Sequence, residues 1–143
     1  LGYDLFDAIM NAREKQARLM ALALVEQAEL YNLPIYIHGK AYKPDVAYTE
    51  GSYSLLVGHY CQEMGHQPTY IDPLTGDTVD HAVKGVILIA HNRRVTYGYT
   101  GIDSDQGMYC AIADGSVIVD PWRNFPQDST TYKVLHYGNT RLQ

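Results

Sequence analysis

GDTVDHAVKGVILIAH, residues 76–91, is the stretch on which the reading of the fold turns. Its second half, Val83 to Ala90, is an apolar run of strand length rich in β-branched residues, and it reads as a buried strand. His81 stands at the mouth of that run, directly after Asp80. A titratable ring there either ends a loop or belongs to a site. A site would need two more pieces, a nucleophile upstream and a carboxylate downstream.

Downstream of the run, His91 to Arg94 forms a turn and Val95 to Thr100 alternates as a partner strand. Tyr109 to Ala113 and Ser116 to Val119 flank Asp114-Gly115, a dipeptide that favours a hairpin, and Tyr132 to Tyr137 closes the sheet. Upstream, Tyr3 to Tyr31 carries helical periodicity, with Leu5, Phe6, Ile9, Met10, Leu19, Met20, Ala23 and Leu24 placed on one face. Asn32 and Pro34 stop that helix, because a residue before proline avoids the helical region. Leu33 to His38 is a short extended segment, and Gly39 to Gly51 is a loop punctuated by Gly and Pro. A second helix runs from about Ser52 to Met64, with Gly65 where a C-terminal cap belongs, and Pro68 to Ile71 resumes the extended chain. Helices first and sheet after predict an α+β fold, N-terminal helices packed on an antiparallel β-sheet. Residues 1–143 form one domain, with the N-terminal helix at 3–31 and the core at 50–137.

Composition bounds the function. The 143 residues suffice for a real core, and 46% hydrophobic with 19% charged residues is the balance of a globular protein. A net charge of -5, with Arg93-Arg94 the one compact basic pair, argues against nucleic acid as partner. No apolar stretch reaches the ~20 residues of a membrane span, and no secretory leader opens the chain. Cys61 and Cys110 make no disulfide framework, so the expected setting is cytoplasmic. The missing initiator Met points to a processed or trimmed start. Thirteen tyrosines against two phenylalanines suit a half-buried sheet or a groove wall.

The downstream carboxylate is found in GSVIVDPWRNF, residues 115–125, where Asp120 ends an apolar strand and Pro121 stops it. If this strand lies beside the one led by His81, aspartate and imidazole meet at one edge. The carboxylate would then fix the tautomer and leave the other ring nitrogen as a general base.

A helix ending in glycine, an extended segment, His-Ala-Val opening a strand and an apolar strand ending in Asp-Pro together resemble the papain-like superfamily. The likeness is to its transglutaminase-like and bacterial-effector cysteine-peptidase branches, over roughly Glu50 to Phe125. The resemblance implies a Cys at the start of the helix, with His81 and Asp120 in the His and Asp positions. The sequence departs from that pattern at Gly51, Ser52, Tyr53 and Ser54, none of which is cysteine. Helix N-terminal amides would lower a thiol's pKa there, whereas Cys61 falls in later turns and reads as a packing residue. Cys110, inside a strand, reads as core.

Three alternatives follow. Ser52 or Ser54 is a serine nucleophile activated by His81, against the plain role of capping the helix; Cys61 is the nucleophile; or the nucleophile is lost and the cleft binds without cutting. The expected function is therefore a hydrolase or acyltransferase acting on an amide or ester bond, or an inactive relative that binds a peptide or protein. Residues 95–107, rich in Gly and Tyr, are a lid or an ordinary long hairpin. No cofactor is implied. His59, Glu63 and His66 fall on successive turns with zinc-like spacing, but Gly65 should end the helix before His66, and a solvent-facing polar face is the preferred reading. Trp122 shields the carboxylate or plugs the end of the core. Glu50 favours the helix dipole, and His38, His91 and His136 have no partner evident from spacing. Helix 3–31 spends its apolar face on its own domain.

Overall fold

The computed structural model describes residues 2–39, 52–72, 82–90, 96–97, 101–104, 107–123, 125, 127–128 and 130–136. His81, Glu50 and His91 lie outside the described residues, as do the loop 40–51 and residues 73–80.

Helix α1 spans Gly2–Tyr31 and ends at Asn32, whose φ of 55° suits a short polar side chain, just before Pro34. Strand β1 is Ile35–His38, helix α2 Tyr53–Glu63, β2 Thr69–Ile71 and β3 Val86–Ile89. Then follow β4 Thr96–Tyr97, β5 Gly101–Ser104, β6 Gly107–Ala111, β7 Val117–Val119 and β8 Lys133–Leu135.

The expected antiparallel sheet is not what forms. Five strands pair in the order β2-β1-β3-β7-β8, and every pairing in that sheet is parallel. This overturns the α+β assignment and, with it, the papain-like architecture; the sheet is that of an α/β fold. Among the described residues antiparallel pairing is confined to a separate three-stranded sheet, β4-β5-β6, inserted between β3 and β7. The supposed hairpin at Asp114-Gly115 is a real turn, with Gly115 at φ 87°, but its two arms go to different sheets. Likewise Thr96–Tyr97 pairs with β5, not with the Val86–Ile89 strand.

Burial explains the parallel choice. Val86 to Ile89 and Val117 to Val119 are buried at every position, so both faces of the sheet are covered. One face gathers Ile35, Ile37, Val86, Leu88, Val117 and Val119 against α1 and α2. The other gathers Ile71, Ile87, Ile89, Ile118 and Val134 against Val83, Ile112, Phe125 and Tyr132. Each fully buried aliphatic side chain contributes about 1.5–3 kcal/mol, which makes these two layers the main stabilising store of the domain.

Helix α1 buries Ala17, Met20, Ala21, Leu24, Val25 and Ala28, whereas Leu5, Ile9 and Leu19 are exposed. The apolar face assigned to it from periodicity is therefore only partly the packed one. Small Ala residues on the packed stripe let the helix lie close to the sheet and to α2. Helix α2 closes with Gly65 at φ 88° and His66 N–H bonded to Cys61 O at 2.9 Å, the bond pattern of a glycine-terminated helix. Among the described residues no helix is long and apolar enough to cross a membrane.

Candidate functional site at the carboxyl edge of the sheet

A parallel sheet collects the carboxyl ends of its strands along one edge. Extending the observed registers by one residue sets Asp120 beside Ile89 and His136 beside Asp120, with His38 on the far side of Ile89. Strand alternation turns His38, Asp120 and His136 to the same face as Ile87, Ile118 and Val134. Polar residues therefore replace the aliphatic ones at this end. His38 and Asp120 are buried, and Asp72, just past β2, is buried as well.

Asp120 is held firmly. Its N–H donates to Leu135 O at 2.8 Å, and its Oδ2 accepts from Phe125 N at 2.7 Å. Among the described residues its Oδ1, also buried, has no hydrogen-bond partner. His136 Nε2 lies 2.7 Å from Phe125 O and 3.8 Å from Asp120 Oδ2, so the closer carbonyl takes the proton. That fixes the Nε2–H tautomer and leaves Nδ1 to accept from Arg123 at 3.2 Å. The turn after β7 is thus tied to the end of β8 from both sides. Arg123 itself sits at φ 59°, a left-handed conformation that costs about 1–2 kcal/mol for a residue with a Cβ.

Trp122, in the same turn, is not a buried plug of the core. It is 37% exposed, and its indole N–H reaches Ala90 O at 3.4 Å. Ala90 N–H in turn donates to His38 O at 3.0 Å. A chain of two hydrogen bonds thus links the indole to the junction of β3 and β1.

On the helix side of the same edge, Ser52 is the N-cap of α2, its Oγ accepting from Ser54 N at 3.1 Å. The Ser54 hydroxyl donates to Gly39 O, fastening the first turn of α2 to the end of β1. Both serines are buried. The described geometry thus gives each hydroxyl a backbone partner. Cys61, in the third turn of α2, is fully buried, and burial pushes its thiol up to about 11, away from the thiolate a nucleophile needs.

The premise that brought His81 to Asp120 was antiparallel pairing, in which the start of one strand meets the end of its neighbour. β3 and β7 are parallel, so the start of one and the end of the other lie at opposite edges. Val83, two residues after His81, belongs to the amino edge, where Ala113 N bonds its carbonyl at 2.8 Å. Of the zinc-spaced trio, His59 pairs with Glu63 at 2.9 Å, while His66 turns to Glu29 of α1 at 3.0 Å. Sequence reading missed His136 as the neighbour of Asp120 and His38 as a member of the same row, because only cross-strand register brings them to one edge. No family model, curated protein or solved structure matches this chain, so strand order and edge chemistry are what define its class.

Proposed function

We propose that this chain is a ligand-binding domain that takes a phosphorylated small molecule of the nucleotide class at the carboxyl edge, between β1 and β3. The observation that carries the reading is the strand order. From β1 the chain moves outward to β2, returns past β1 to β3, and continues in that direction to β7 and β8. Right-handed connections that run in opposite directions cover opposite faces. They part where the order reverses, and the crevice outside the carboxyl ends at that point is where open parallel sheets bind ligands.

The chemistry of the crevice favours an anion on its helix side. Among the described residues α2 is the helix that follows β1, its first turn carries no acidic side chain, and the positive end of its dipole favours phosphate. In the sequence, Lys40 and Lys43 lie between β1 and α2. With a net charge of -5 the field of the whole chain does not attract an anion, so binding would depend on donors at the edge itself.

Calorimetric titration with ribonucleoside mono- and diphosphates, and with the parent nucleosides, tests this reading. Phosphorylated forms should bind at least about tenfold more tightly than nucleosides, as charge-assisted hydrogen bonds of about 1.5–3 kcal/mol imply. Equal affinity for both, or heat from neither at millimolar concentration, contradicts the reading.

A further inference from the structure

We infer that Trp122 is the platform on which the aromatic base of that ligand stacks, and so the residue that separates base-bearing phosphates from phosphates without a base. This rests on the ligand-binding reading above and adds its specificity determinant.

An indole is the largest apolar side chain, and leaving 37% of one exposed forgoes burial worth having. Here the exposed ring is also oriented. Its N–H is committed to Ala90 O, and Ala90 is bonded to His38 O, so the ring is anchored one residue from the β1/β3 reversal. The turn that presents it is braced by bonds from Asp120, Arg123 and His136. The Asp120 carboxylate holds Phe125 N, and His136 bridges Phe125 O to the Arg123 guanidinium. Arg123 N–H closes back on Asp120 O at 3.4 Å. The left-handed Arg123 sits directly after the indole, and backbone strain of this kind persists only where surrounding structure enforces it and is concentrated at ligand sites. A fixed, exposed aromatic face beside a ligand crevice is the arrangement that stacks planar rings while tolerating their identity.

Trp122 is the single tryptophan of the chain, so its fluorescence reports this site alone. Titration of a nucleoside diphosphate should quench the emission saturably, with the midpoint found by calorimetry. Trp122→Ala should weaken that ligand by about 5- to 150-fold, the range expected for loss of one base–aromatic stack, while Trp122→Phe stays within a few-fold. Pyrophosphate and ribose 5-phosphate should bind the wild type and Trp122→Ala equally. Circular dichroism and urea midpoints verify that the variants fold, which the exposure of the side chain favours. Unchanged nucleotide affinity in Trp122→Ala, or binding with no change in emission, overturns this inference and leaves the binding reading intact. Failure of pyrophosphate, ribose 5-phosphate and nucleotide alike to bind the wild type overturns both.

Discussion

Asp120→Ala is the perturbation that separates a structural brace from a dispensable polar residue. The carboxylate is fully buried, and its Oδ2 accepts the Phe125 N–H at 2.7 Å, a short bond to a charged acceptor. Removing it takes this acceptor from the N–H of Phe125, a residue only 2% exposed. A charge-assisted bond of this kind contributes about 1.5–3 kcal/mol. Release of a buried carboxylate oxygen that has no partner among the described residues offsets part of it. The expected net loss is about 2 kcal/mol, or about 6–10 °C in Tm for a domain of this size. Asp120→Asn keeps an acceptor for Phe125 N and should lose about half as much. Urea denaturation followed by far-UV circular dichroism gives both values, with the m-value checking that the transition stays two-state. A loss below about 0.5 kcal/mol in Asp120→Ala, or equal losses in the two variants, would refute the account of this turn.

Three further outcomes follow from other parts of the structure. Burial pushes the Cys61 thiol from 9.0 to about 11, so the folded state holds this proton more tightly than the unfolded chain; the associated stability is complete below pH 9 and is lost as pH rises toward 11. Urea midpoints at pH 8 and 10.5 should therefore fall further in the wild type than in Cys61→Ala, and the native thiol should resist a disulfide reagent until the protein is unfolded. Gly85→Ala should destabilise by about 1–3 kcal/mol, because the new Cβ would stand 2.6 Å from Pro34 O, a carbonyl fixed by Val86 N at 2.8 Å; an unchanged Tm would contradict this packing. Ser54→Ala should lower stability by about 1 kcal/mol through loss of its bond to Gly39 O, whereas Ser54→Thr, which keeps the hydroxyl, tests whether that bond is the cause.

Local elements were legible in the sequence and their pairing was not. The stops at Asn32-Pro34 and Gly65 mark both helices correctly, because caps act within a few residues. Asp114-Gly115 does turn the chain, but a turn dipeptide specifies only its own backbone and not the sheets its arms join. The decisive signal was present in Val86–Ile89 and Val117–Val119: apolar runs without alternation mean burial on both faces, which parallel strands with covered faces require. Once the pairing is parallel, Asp120 keeps His136 as a neighbour, and the argument that carried it to His81 loses its geometric basis. His38 and Asp120 are 82 positions apart in sequence, and no local pattern could have placed them on one row. Trp122 was noticed for its position beside Asp120, but its exposure and its bond to Ala90 are properties of the assembled edge.

The central claim is a nucleotide-class ligand at the β1/β3 carboxyl edge, and amide-resolved NMR titration of the ¹⁵N-labelled protein with a nucleoside diphosphate tests it most directly. The account predicts saturable shifts at Gly39, Ser52 to Ser54, Ala90 and the Trp122 indole, with β2 and β8 backbone amides little changed. Shifts confined to the amino edge around Val83 and Ala113, or none at saturating ligand, would contradict it.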